Sequence, residues 1–116
     1  MTQDVEKEVR AARERIAAIR REIAAMELVS SGTLHTRTKT CGKANCRCAE
    51  DDGARHGPYR EWNRREGGRL VHKSLSARQA EMAREAIECY REILGLLDRW
   101  ERETVKIILA ARDPKT

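Results

Sequence analysis

Residues 41–59 read Cys-Gly-Lys-Ala-Asn-Cys-Arg-Cys-Ala-Glu-Asp-Asp-Gly-Ala-Arg-His-Gly-Pro-Tyr. Cys41, Cys46, Cys48 and His56 thus sit within sixteen residues. Three thiols and an imidazole form a Cys₃His ligand set, the kind that holds a structural Zn²⁺ in a closed tetrahedral site. The spacing C-x₄-C-x-C-x₇-H differs from the paired C-x₂-C of zinc ribbons and fingers. Gly42 and Asn45 are expected to supply the unusual backbone angles a tight ligand loop needs. Arg47 is expected to be an extended link between its two cysteines, and Gly57-Pro58 a turn that aims His56 back at them. Lys43 and Arg47, beside the thiols, are expected to lower their pKa and favour metal binding.

Other chemistries for these cysteines stay open. A redox trio is one, although the C-x₂-C and βαβ context of thioredoxin-like sites is missing. An iron–sulfur cluster with four cysteines would have to recruit Cys89, which lies far off in a helical pattern and reads as an inert thiol. His35 and His72 are spare imidazoles that could replace His56 as the fourth ligand. A catalytic zinc is not expected, because four protein ligands leave no open position.

Working outward, both flanks carry helical seams. Val5, Val9, Ala12, Ile16, Ile19, Ile23 and Met26 follow alternating steps of four and three, the coiled-coil repeat, among good helix formers. This predicts a helix over about residues 3–29, ended by Ser30-Ser31-Gly32. Ala83, Ala86, Tyr90, Ile93, Leu97, Trp100, Thr104, Ile107 and Ala111 repeat the pattern and predict a helix over 76–112. Ser76 with Gln79 forms a capping box at its start, and Asp113-Pro114 closes it. At 1.5 Å per residue the two helices would span about 40 and about 55 Å. The surplus length of the second exposes apolar residues that need cover. The expected partner or self-association surface is Ile93, Leu97, Trp100, Val105, Ile107, Ile108 and Leu109.

The middle segment reads as β. Thr33 to Thr40 alternates weakly, and Tyr59–Arg65 and Arg69–Leu75 flank Gly67-Gly68, a loop suited to a primed hairpin turn. In that register Trp62 opposes Lys73, Arg64 opposes Val71 and Arg60 opposes Leu75. One face gathers Trp62, Val71 and Leu75 against the helices. The other shows Tyr59, Glu61, Asn63, Arg65, Leu70, His72 and Ser74. The expected fold is therefore α+β, mainly α: an antiparallel coiled-coil hairpin with a small zinc-stapled antiparallel β head inserted between its helices. Its segments are residues 1–30, 31–75 and 76–116.

Composition agrees with an elongated molecule. The chain of 116 residues has no Phe, only two Trp and two Tyr, and 37% charged residues, a profile of long helices rather than a wide core. Residues 1–30 hold six basic and six acidic side chains, residues 76–116 eight and eight, and residues 31–75 ten and five. The whole net charge of +5 therefore falls on the middle segment. Such a confined positive field is the footprint of a polyanion contact. No run of 18 apolar residues is present, so no membrane span is expected, and the N-terminus has no apolar stretch of a signal-peptide type. A cytoplasmic setting follows, nucleoid-associated if DNA is the ligand.

The stretch Arg37-Thr38-Lys39-Thr40-Cys41-Gly42-Lys43, with Cys46-Arg47-Cys48 and His56-Gly57-Pro58-Tyr59, resembles a bacterial and archaeal family of small proteins classed as a domain of unknown function. Its signature is C-G-K-x-x-C-R-C followed by H-G-P-Y, a glycine hairpin and a long helix. The resemblance covers about residues 32–100; Arg60-Glu61-Trp62 stands here where further tyrosines are expected. The family's association with transposase and recombinase genes implies an accessory role on mobile DNA.

Two functions compete. In one, the zinc-stapled head binds nucleic acid, with double-stranded DNA expected and RNA a third reading that the sequence does not separate from it, through Arg37, Lys39, Lys43, Arg47, Arg60, Arg64, Arg65, Arg69 and Lys73. Asn63 and Arg65 are then the base-edge readers. The helices dimerise or dock on a recombinase. In the other, the coiled coil is a protein-interaction adaptor and the head only caps it. An enzyme is not expected: no phosphate loop, paired carboxylates or nucleophile–base set is found.

Overall fold

In the computed structural model of the chain, residues 2–112 are described. Five regular elements follow in order: α1 (Thr2–Ala24), β1 (Thr33–Lys39), β2 (His56–Glu66), β3 (Arg69–Leu75) and α2 (Ala77–Ala110). The described residues thus form two helices and one three-stranded antiparallel sheet, ordered β1-β2-β3. Two short 3₁₀ turns, Arg47–Ala49 and Asp52–Ala54, lie in the long β1–β2 connection. Among the described residues no helix is long and apolar enough to cross a membrane.

The chain divides into two compact units: residues 1–27 with 89–116, and residues 28–88. The second unit holds the sheet. Trp62 pairs with Lys73, Arg64 with Val71 and Arg60 with Leu75, the register expected from the sequence. The hairpin closes on Gly67 and Gly68, both at positive φ (58° and 82°), which a type I′ turn requires and glycine adopts without strain. β1 lies on the other side of β2, with Leu34 beside Trp62 and Thr36 beside Arg60. Gly32 leads into it at φ 125°, where a Cβ would come within 2.6 Å of the Asn63 carbonyl and the Trp62 indole nitrogen.

α2 begins as its sequence requires. The Gln79 N–H donates to Ser76 Oγ at 3.2 Å, and the Ser76 N–H to Gln79 Oε1 at 2.9 Å. This reciprocal box satisfies two of the amides that a helix start leaves unpaired. The closure expected at Asp113-Pro114 lies outside the described residues. In the same unit, the first turns of α2 and the segment after α1 form an open groove of about 340 Å³. Leu28, Val29, Trp62, Leu75, Met82 and Ala83 are among its lining residues.

Two helical expectations need correction. α1 stops at Ala24, not near residue 29. Leu28 and Val29 leave the helix to line that groove, and the Ser30 N–H donates to the Ala86 carbonyl at 3.1 Å. After Gly95 the α2 seam keeps Trp100 and Ile107, half-buried, but its alternate positions fall one residue early, at Leu96 and Glu103. Leu96 and Glu103 are buried, whereas Leu97, which the expected seam and the expected partner surface both included, is exposed. In the helical unit Glu103 accepts a hydrogen bond from Arg15 of α1 at 2.8 Å and from Lys106 at 3.1 Å. A buried carboxylate with two cationic partners is tolerated where an unpaired one would not be. The first turns of α1 lie beside the last of α2, where Val5, Val9, Ile107 and Ala110 line a second open groove.

Candidate metal centre and basic sheet

The connection between β1 and β2 is long and almost without apolar cover; Cys48, 2% exposed, is its one buried residue among those described. Cys41 follows β1 by two residues, and His56 is the first residue of β2, paired with Lys39. Between them the chain makes a turn in which the Cys46 N–H donates to the Lys43 carbonyl, then the 3₁₀ turn at Arg47–Ala49. That turn corrects the expected extended link at Arg47. The Ala49 N–H donates back to the Cys46 carbonyl, and this curl brings two cysteines only two positions apart to one centre.

The four ligand atoms of Cys41, Cys46, Cys48 and His56 all lie within 4.8 Å of one another, so they could hold one metal ion. The Cys41 and Cys48 sulfurs are 3.6 Å apart, and the Cys46 sulfur is 3.4 Å from His56 Nε2. Neither spare imidazole belongs to the cluster: His35 and His72 lie on the sheet, and Cys89 lies in α2.

The thiols differ in acidity. The Cys48 backbone N–H, with hydrogen bonds from the Cys48 and Cys41 side chains, holds the Cys46 thiol below its ordinary value. Cys48 is pushed up. The Cys41 N–H, 3.4 Å from its sulfur, acts to lower it, but burial and the neighbouring thiols of Cys46 and Cys41 outweigh that donor. Of the two neighbours expected to lower the thiols, Arg47 does so at Cys46, through its backbone N–H. The Arg47 guanidinium instead pairs with Asp51 at 3.3 Å. Backbone amides do the electrostatic work, and a bound cation would stabilise thiolates gathered at one centre.

The residues expected to meet nucleic acid do not share one surface. Side chains alternate across a sheet, so the register puts Arg60, Arg64, Arg69 and Lys73 on the face of Trp62 and Leu75. Arg37, Asn63 and Arg65 fall on the opposite face with Tyr59, Glu61 and His72. Lys39 lies beyond an irregularity in the β1 ladder, its ammonium 4.7 Å from the Tyr59 ring centroid, and Lys43 and Arg47 belong to the metal-site loop. Several are engaged within the protein. Arg64 stacks 4.6 Å from the Trp62 ring centroid and bonds Glu66 at 2.7 Å. Arg37 pairs with Glu61, and Asn63 Oδ1 with His72 Nδ1. Lys43, Arg60, Arg69 and Lys73 make no ion pair among the described residues.

The seven helix residues expected to bind a partner also separate. Leu97, Val105, Ile108 and Leu109 are exposed, while Ile93, Trp100 and Ile107 are half-buried. Exposed Leu94 was missed; it sits just before Gly95, where the seam slips, and a strict heptad count leaves it out. The groove residues Leu28 and Val29 were missed because their apolar pair reads as the end of a helix.

The family model described as a domain of unknown function (DUF6788) matches residues 6–85, and the chain belongs to that family. The match spans the whole sheet and all four metal-site residues. No curated protein and no solved structure matches the chain.

Proposed function

We propose that this member of the DUF6788 family is a zinc-containing nucleic-acid-binding accessory protein, acting on double-stranded DNA in a transposition or recombination complex, with its two helices paired as an antiparallel coiled coil. The observation that carries the reading is charge: residues 31–75 hold the entire net +5 of the chain, in the segment that also holds the Cys₃His cluster. Zinc suits the cluster. A Zn–S bond of about 2.3 Å sets tetrahedral S···S edges near 3.8 Å and S···N edges near 3.5 Å. The observed 3.6 and 3.4 Å lie close to these. Four protein ligands leave the ion no open position, which supports a structural role and no enzymatic one.

With three thiolates bound, the site adds about −1, and the segment keeps roughly +4 with which to attract phosphates. Lys43, Arg60, Arg69 and Lys73 are the side chains best placed to give it, having no internal anion among the described residues. Asn63 and Arg65 are the base-edge readers in this reading. A protein of this kind works in the cytoplasm, at the nucleoid. The adaptor reading has its own support in the apolar residues exposed along the C-terminal half of α2.

Fluorescence-anisotropy titration of the zinc-loaded chain against double-stranded DNA, single-stranded DNA and RNA at two salt concentrations tests the proposal. The expected result is salt-sensitive binding, strongest for double-stranded DNA, that disappears on chelation. Absence of binding by protein with stoichiometric zinc would overturn it in favour of the adaptor.

A further inference from the structure

In its C-terminal half α2 has two apolar stripes. One is buried in the helical unit around Leu96, with Ile93, Trp100 and Ile107 half-buried beside it. The other comprises Leu94, Leu97, Val105 and Ile108, which are 52%, 47%, 45% and 63% exposed. At 100° per residue these four fall within an arc of about 80°, and Glu101 lies at its middle. Leu109, 79% exposed, borders it.

The spacing of this stripe is symmetric. Leu94 and Ile108 each lie seven residues from Glu101, and Leu97 and Val105 each lie four. A stripe that reads the same in both directions is self-complementary under a two-fold axis, the isologous arrangement that closes a dimer. We propose that a second copy of this chain covers it, α2 against α2 and antiparallel, with the two-fold axis passing at Glu101. This deepens the reading of α2 as a docking helix by naming its occupant, and it does not depend on nucleic-acid binding.

In that pairing Leu94 of one copy packs on Ile108 of the other, and Leu97 on Val105, over a length of about 21 Å. Charge selects the antiparallel sense. Asp98 and Arg102, paired at 2.6 Å within one chain, border the stripe on one side. An antiparallel two-fold brings both such pairs to the same flank beside the axis, in the order Asp98, Arg102 of the other copy, Arg102, Asp98 of the other copy, so that each aspartate stands beside the other copy's arginine. A parallel pairing sets each against the apolar flank of the partner instead. Antiparallel helix dipoles add to the preference.

The exposed parts of the five apolar residues come to at most about 1,000 Å² over two copies, in the range of weak, transient interfaces, so the dimer is weak, with Kd on the order of micromolar. The two Glu101 carboxylates meeting at the axis weaken it further.

Sedimentation equilibrium of the zinc-loaded full chain over a wide concentration range tests the proposal, with circular dichroism confirming that each variant keeps its helices. The parent is expected to show a monomer–dimer equilibrium. Leu94→Lys and Ile108→Glu are each expected to be monomeric, and the double variant to dimerise again, because the axis places position 94 against 108 at both ends. Glu101→Gln is expected to bind itself several-fold more tightly. A parent that stays monomeric throughout overturns the proposal, whether or not α2 captures some other protein. So does a dimer that persists in both single variants, or a double variant that remains monomeric. Anisotropy on the same samples reports DNA binding separately, so failure of one reading is not mistaken for failure of the other.

Discussion

The side chains that decide the second unit are few and small. The four candidate ligands were legible because a short sequence span confines them: wherever the chain goes, Cys41, Cys46 and Cys48 cannot move far apart. What tunes them was not legible, since the Cys48 and Arg47 amides that act on Cys46 belong to a 3₁₀ turn that the sequence does not announce, and the amide that acts on Cys48 comes from Cys41, seven residues earlier. Replacing Cys48, the most deeply buried ligand, by Ser is expected to abolish stoichiometric zinc uptake, whereas Cys89→Ser should leave it intact; metal analysis of the purified variants checks both. Gly32 was illegible for a different reason, because its neighbours Trp62 and Asn63 are thirty residues away in sequence. Gly32→Ala forces a Cβ against backbone at a positive φ and should lower stability by about 1–3 kcal/mol, read as a fall in Tm. Retention of the parental Tm would mean that the entry to β1 can shift to make room.

Among the elements, α2 shows how far pattern carries and where it stops. Its start was readable from Ser76 and Gln79, a purely local device, and Ser76→Ala should cost about 1 kcal/mol in thermal unfolding. The β2–β3 register was equally readable, because Gly67-Gly68 fixes it. The seam was not, since a strict count of threes and fours chooses Leu97 and Thr104 over Leu96 and Glu103. Burial of Glu103 is possible only because Arg15 and Lys106 converge on it, a fact of packing rather than of period. Hydrogen bonds from Lys106 and then Arg15 hold its carboxyl below the ordinary value of 4.5. A depressed carboxyl adds stability that is present above that ordinary value and is lost as pH falls through the folded value. Acid unfolding followed by circular dichroism should therefore lose part of its steepness in Glu103→Gln; an unchanged acid limb would deny the carboxylate any role in the helical unit.

For the molecule as a whole, the division into two units predicts that metal is felt unequally. The cluster lies within residues 28–88, and so does Trp62, whereas Trp100 lies in the helical unit. In a Trp100→Phe background, chelation should shift Trp62 emission to the red while much of the helical signal survives. An emission spectrum blind to chelation would mean that the sheet holds without its metal. The charge map belongs to the same scale. Neutralising Arg69 and Lys73 together should weaken DNA binding and reduce its salt slope by about two. Arg64→Ala should act more on stability than on affinity, because that guanidinium is already committed to Trp62 and Glu66.

The order β1-β2-β3 also leaves two strands with one side unpaired. Such borders invite other chains to continue the ladder, and lysines and arginines along them keep copies from stacking into fibrils. Arg37 and Lys39 stand on one border, Arg69 and Lys73 on the other. The cations proposed to meet phosphate are thus also placed where they are expected to oppose amyloid-like growth. A chain stripped of them should turn cloudy or bind amyloid dyes at concentrations where the parent stays clear.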